Sequence, residues 1–283
     1  VEERARQGAQ ESGQPQLTEE EHKDVERRSA PRTEVVYESI REEGETELRR
    51  APSTLAWDGL AAGLSMGFSL VAEGLLRAHL PDAGWRPLVA KLGYSVGFLI
   101  IVLGRQQLFT ENTLTVILPL LQRPLASTLK SVLRLWTVVL LANLAGAFVF
   151  AFVISRTDLF EPQVRDSFGE IARESLRGGW GLTLLRGVFA GWLIALMVWM
   201  LPAAESARFW VVIAITYLVA LGGFAHVVVG SIEVFYAVLT GGAGWGAYLG
   251  WFVPTLLGNI VGGTTLVAAL GHAQVAGEGR DKE

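Results

Sequence analysis

His226 is the residue whose chemistry stands out. It interrupts an apolar run, preceded by Gly222-Gly223-Phe224-Ala225 and followed by Gly230. An imidazole has an unperturbed pKa near 6.5, so it can donate a hydrogen bond to an anion or pass it a proton. An ionisable group at membrane depth is costly and is a functional candidate by default. The competing reading is a neutral histidine bonded to a nearby backbone carbonyl. A second polar stretch, 104–115, carries Arg105, Gln106, Gln107, Thr110, Glu111 and Asn112 between two apolar runs. Thr110 offers a hydroxyl and a backbone N–H. With no cysteine in the chain and no evident metal-ligand cluster, these residues read as a permeation site without metal or cofactor, not as a catalytic one.

The elements that must position them are membrane helices. The apolar runs on either side of 104–115 are each too short to span a bilayer, which takes about 20 residues. Together they read as one span broken in the middle, with irregular backbone that must be buried in protein or line a cavity. The segment around His226 reads the same way. In all, six spans are expected, at about 53–78, 88–121, 128–154, 181–201, 209–239 and 245–270, of which the second and fifth are broken. Residues 156–177, with four arginines, read as a loop.

The charge distribution supports this division. Of the 283 residues, the first 50 carry 14 acids and 9 bases, and the other 233 carry 14 acids and 15 bases. A polar tail, 1–50, thus precedes a membrane domain, 51–272, and a short polar tail, 273–283, closes the chain. Residues 1–32 read as largely disordered. Val36, Ile40 and Leu48 suggest an amphipathic helix over 33–50, on the membrane surface or on a neighbouring subunit. No signal peptide reads from the first apolar run. Arg49, Arg50, Arg123, Lys130 and Arg134 place both termini in the cytoplasm.

The two broken spans occupy corresponding places in two halves of three. Asn143-Leu-Ala-Gly146 recurs as Asn259-Ile-Val-Gly262, 116 residues later, and the same offset pairs Thr110 with His226. Three spans per half is odd, so the halves insert with opposite topology. The expectation is an all-α integral membrane protein of two inverted three-helix repeats with helices 2 and 5 broken, a transporter or channel signature. Asn143 and Asn259 read as loop supports, hydrogen-bonded to backbone. Arg105 and Glu111 are expected to pair across the first break. Glu73 and Glu233 are expected as partners of Arg77 or Arg186, or near an interface.

Leu108-Phe109-Thr110, Gly223-Phe224-Ala225-His226 and Gly258-Asn259-Ile260-Val261-Gly262-Gly263, in this six-span layout, resemble the formate/nitrite transporter family over about 53–271. The FTEN sequence and charged tail look more like its divergent inner-membrane branch. The resemblance implies an aquaporin-like fold, a homopentamer with one pore per subunit in the lipid bilayer, and a small monovalent anion as solute, with no nucleic-acid partner. It also implies that Thr110 and His226 are central pore residues, and that Tyr94, Phe98 and Leu108 form an apolar gate on one side and Val219 on the other. The chain departs from the family pattern at Gly230, where an Asn is common, and at Glu111, where small neutral residues are common. A lysine common near the start of the fourth helix has no secure counterpart. Two other readings stand beside the anion pore: a pore for a neutral or different solute, and a membrane scaffold with a closed pore whose tail binds a partner.

Overall fold

The computed structural model describes residues 18–21 and 31–280, with side chains through Thr265. The reading of 1–32 as disordered falls mostly outside the described residues. Residues 18–21 form a helical turn, in which Glu21 N–H donates to Thr18 Oγ1 (3.3 Å) and Thr18 N–H to Glu21 Oε2 (2.7 Å).

The second unit starts at Thr33. Its elements are α1 (Thr33–Arg49), α2 (Pro52–His79), α3 (Arg86–Leu103, with a 3-10 turn at Lys91–Tyr94), α4 (Phe109–Thr115), α5 (Ile117–Gln122), α6 (Ala126–Arg156), α7 (Pro162–Ser175), α8 (Trp180–Met200), α9 (Arg208–Leu221), α10 (Val227–Leu239) and α11 (Trp245–Arg280). Among the described residues, α2, α3, α6 and the run Trp180–Ala203 are each long and apolar enough to cross a membrane. The helices α9 and α10, with 14 and 13 residues, fall short alone. They are two parts of one interrupted segment, and α3, α4 and α5 form the other.

Two pairs of helices make the frame. In one, α2 lies on α6, with Gly63 against the Asn143 backbone and Gly146 against Leu60. In the other, α8 lies on α11, with Gly191 against the Asn259 backbone and Gly262 against Val188. A Cβ at any of these four positions would enter the opposing backbone. Such close approach is how membrane helices gain packing contacts without a hydrophobic drive.

Three boundaries differ from the sequence expectation. First, α1 is part of the membrane bundle, not of a separate tail 1–50. Val36 and Ile40 fall on one face and are buried with Leu114, Leu118, Ala195 and Val198 of the same chain, while Gly44 backs onto the Thr115 carbonyl. Second, the expected loop contains the 14-residue helix α7. Its apolar face is Val164, Phe168, Ile171 and Ala172, and the Phe168 ring sits against Gly74 and edge-on to Tyr236. Third, the helical backbone of α11 continues beyond 270 to Arg280, into the expected tail.

Both breaks are built alike. Gly104 N–H donates to Ile100 O and Gly222 N–H to Leu218 O, each at 2.9 Å. The next residues, Arg105 and Gly223, take left-handed φ values of 50° and 59°. Gln106 N–H then donates to Ile101 O and Phe224 N–H to Val219 O, each at 3.0 Å. Glycine enters that conformation freely, whereas arginine does so against its Cβ. The N-cap residues Leu108 (φ −105°, ψ 129°) and His226 (φ −104°, ψ 125°) close the two breaks. The structural counterpart of His226 is therefore Leu108, not Thr110. The offset of 116 holds for the asparagines, but the breaks are two residues out of step with it.

Candidate pore site

Each break is tied to the frame by one asparagine. Asn143 Oδ1 accepts from Phe109 N–H (2.9 Å), and its Nδ2 donates to Gly59 O (2.8 Å) and Gln107 O (2.9 Å). Asn259 Oδ1 accepts from Val227 N–H (2.8 Å), and its Nδ2 donates to Gly187 O (2.9 Å) and Ala225 O (2.8 Å). Both side chains are fully buried. An amide suits the position because it supplies an acceptor for the first free N–H of a helix and two donors, one for a loop carbonyl of the break and one for a carbonyl of the frame helix.

At the centre, Thr110 Oγ1 and His226 Nε2 are 2.8 Å apart. Val229 N–H donates to His226 Nδ1 at 3.3 Å, so the ring caps its own helix and Nδ1 carries no proton. The neutral imidazole then holds its hydrogen on Nε2, which donates to Thr110 Oγ1. The Thr110 hydroxyl hydrogen is left free for another acceptor. Phe98 meets the imidazole edge to face at 5.1 Å, and Tyr94 lies 5.5 Å from Phe98.

A cavity of about 270 Å³ opens above His226. Tyr94, Val219, Gly230 and Trp251 wall it, and Lys91, Glu174, Arg177, Arg186 and Glu233 give it charge. Lys91 Nζ is engaged by Glu73 Oε1 (2.5 Å) and Glu174 Oε2 (3.6 Å). Arg186 donates to the Arg177 carbonyl at 2.6 Å. Neither Arg177 nor Arg186 has a carboxylate within salt-bridge distance among the described residues, so both guanidinium groups keep donors for a passing anion. These bases come from α3, the turn after α7, and α8, which is why the sequence did not group them. A polar Lys91 inside the apolar segment 88–103 was the available signal.

Of the expected site residues, Thr110, His226 and Phe98 meet at the centre, and Tyr94 and Val219 wall the cavity. Leu108 is fully buried and receives Asn112 N–H (3.3 Å) on its carbonyl. Phe109 turns away to pack edge-on against Trp136 at 5.9 Å. Arg105 and Glu111 do not pair. Arg105 is exposed, and Glu111 Oε1 is buried without a hydrogen-bond partner. The expected partners of Glu73 and Glu233 are also replaced. Arg77 binds Glu170 (2.9 Å) and Glu174 (2.7 Å), Glu73 takes Lys91, and Glu233 accepts from the Ser175 hydroxyl. Gly230 has a steric reason, since a Cβ there would enter the Trp251 indole.

Paired helix breaks held around a central polar contact, in an all-helical bundle, define a membrane channel fold. Two solved structures share it. A pentameric formate channel with formate bound superposes with a TM-score of 0.66 at 21% identity, covering 80% of this chain and 98% of that one. An FNT family ion channel gives 0.72 at 17%, covering 85% and 98%. The sequence comparison gives the family. The sequence model described as Formate/nitrite transporter matches residues 34–273, and the chain belongs to that family. The inner membrane protein YfdC of Escherichia coli (strain K12) is 42% identical over 252 residues, which is 89% of this chain and 81% of that protein. The formate channel BtFdhC of Bacillus thuringiensis is 27% identical over 215 residues, 73% of this chain and 80% of that protein. The match begins one residue into α1, in keeping with α1 being part of the bundle.

Proposed function

We propose that this protein is a pore for small monovalent anions of the formate or nitrite kind, in which the Thr110–His226 pair is the central filter. The observation that carries the reading is the free Thr110 hydroxyl hydrogen, oriented by His226 at the foot of a cavity with two unpaired arginines. An anion enters past Arg177 and Arg186, gives up water between Tyr94, Phe98 and Val219, and exchanges it for the hydrogen bond from Thr110. Dehydrating an ion in an apolar constriction is expensive, so a donor fixed at that depth lowers the barrier. A proton link through His226 itself needs a second proton on Nδ1, which would displace the Val229 N–H cap. In this reading the six spans form two inverted halves of three, both termini are cytoplasmic, the protein sits in the inner membrane, and five copies assemble with one pore each. Relatives described as a formate channel and as a pentameric formate channel support it.

The test is flux of formate and nitrite into liposomes holding the purified protein. His226→Phe and Thr110→Val should each abolish or deregulate it. Unchanged flux and pH response in both variants would overturn the filter. A second reading, a pore for a neutral solute, is favoured by the unpartnered Glu111 carboxyl. Stopped-flow swelling with small neutral solutes separates the two, and Glu111→Gln should alter selectivity only if that carboxyl belongs to the filter.

A further inference from the structure

His226 at the N-cap of α10 and Gly230 and Glu233 on it stand at i, i+4 and i+7, on the face that lines the cavity. Glu233 is 95% buried, and only 5% of its surface remains accessible. Its Oε2 accepts from the Ser175 hydroxyl. Its Oε1 has no protein partner among the described residues, and no base lies within salt-bridge distance. The nearby lysine is no substitute, because Glu73 and Glu174 already hold Lys91. Below, both nitrogens of His226 are engaged, one by the Val229 N–H and the other by Thr110. The cavity therefore contains one carboxyl free to exchange a proton and, beneath it, an imidazole whose protons are committed.

We infer that Glu233 is the proton-exchanging residue of this vestibule, handing a proton to a small oxyanion before it reaches Thr110, so that on acidification a stream of conjugate acid joins the anion stream at the filter; the inference rests on the anion-pore reading above. The Glu233 O–H bond breaks, an O–H bond forms on the anion, and the conjugate acid passes the phenyl ring of Phe98 uncharged. The Glu233 carboxylate is then reprotonated by hydronium reaching the vestibule from the outside solvent, which leaves as water. Ser175 steadies one oxygen and leaves the other toward the cavity. Gly230 keeps the wall between Glu233 and His226 free of a side chain, with Trp251 on its far side.

The groups facing Glu233 define what its titration responds to. From α2 comes Glu73, and from α3 come Lys91 and Tyr94. From α7 and the turn after it come Glu174, Ser175 and Arg177, and from α8 comes Arg186. The helices α6 and α11 present aromatic rings to α10, Phe148 and Tyr248 against Phe235.

The experiment measures formate and nitrite uptake into liposomes as the outside pH is stepped from about 7 to about 5, across the carboxylate and histidine range. The wild-type flux should rise on acidification. Glu233→Gln keeps an acceptor for Ser175 but cannot titrate, so its flux, whatever its absolute level, should no longer rise on acidification. Ser175→Ala retains the carboxyl and should move the midpoint of the profile. An infrared pH titration should show a protonated-carboxyl C=O band in the wild type that is missing in Glu233→Gln. A Glu233→Gln profile identical to wild type, or a Ser175→Ala midpoint that does not move, overturns the inference while leaving the anion pore standing. No uptake of either anion by the wild type overturns both.

Discussion

At the scale of single residues, the site is governed by which polar atoms are already spoken for. His226 is fixed as a neutral donor to Thr110 because its other nitrogen caps α10, and Thr110 inherits the free hydrogen. Gly230 is the clearest case of a residue set by its neighbour. The family-typical asparagine would meet the Trp251 indole, so Gly230→Asn should destabilise the protein by about 1–3 kcal/mol, the usual range for forcing extra volume into a packed interior. Thermal unfolding in detergent should show the loss, and adding Trp251→Leu should recover part of it. An unshifted melting midpoint for the single variant would mean that the indole moves aside freely. His226 and Thr110 were legible in the sequence because polar residues in apolar runs are rare. Their relation was not. Counting from the asparagines paired them as equivalents, whereas with the two-residue slip between breaks and asparagines they are non-equivalent residues that meet in one hydrogen bond. The free bases Arg177 and Arg186 were legible as residues but not as a group, since three-dimensional closure brings them together.

At the scale of elements, the breaks depend on two asparagines. Replacing Asn143 or Asn259 with alanine leaves one buried N–H (of Phe109 or Val227) and one loop carbonyl (of Gln107 or Ala225) without its partner, and cuts the tie to the α2 or α8 carbonyl. Each unsatisfied group costs about 1–3 kcal/mol, so either variant should lower the melting midpoint more than any glycine-to-alanine change in a loop. Asn143→Ala should disturb α4 and Asn259→Ala should disturb α10, which hydrogen exchange can localise. The helices α1 and α7 show why charged segments were misread. In α7 the apolar spacing of Val164, Phe168 and Ile171 was present, but arginines and acids between them obscured it. In α1 the buried face was recognised, while its docking partner could not be, since Leu114 and Ala195 lie far along the chain. Docking of α7 carries a pH dependence. Burial opposes the charge of Glu174, yet the Arg77 hydrogen bond and the charges of Lys91, Arg77 and Arg177 hold its carboxyl below its ordinary value of 4.5. A carboxyl depressed by folding stabilises the folded state above its unfolded pKa, and that contribution is lost as pH falls through the folded value. Exchange in α7, corrected for intrinsic rates, should therefore accelerate as pH falls below the ordinary carboxylate range, and Glu174→Gln should remove the acid step. An acid step of the same size in that variant would assign it elsewhere.

At the scale of the whole molecule, the question is how many pores an assembly holds. Both breaks, both asparagines and the cavity lie within one chain, so no residue of the filter has to come from a second copy. The outer surface carries large apolar side chains, including Trp57, Leu141 and Trp210 at 72%, 61% and 68% exposure, which only lipid or further copies can cover. The proposed homopentamer would then contain five independent paths. This has a consequence that stability measurements do not reach. When wild-type and His226→Phe chains are mixed before assembly, flux should move from the wild-type to the all-mutant value in direct proportion to the mutant fraction, because each altered subunit affects only its own pore. A shared pore on the assembly axis would behave differently, since one altered subunit would affect the common path and flux would fall far more steeply than the mutant fraction. Native mass spectrometry of the same mixtures supplies the subunit count and confirms that mixed assemblies formed. A steep loss in verified mixed assemblies would move the filter from the Thr110–His226 contact to the axis between chains, whereas a linear loss keeps it within the single chain.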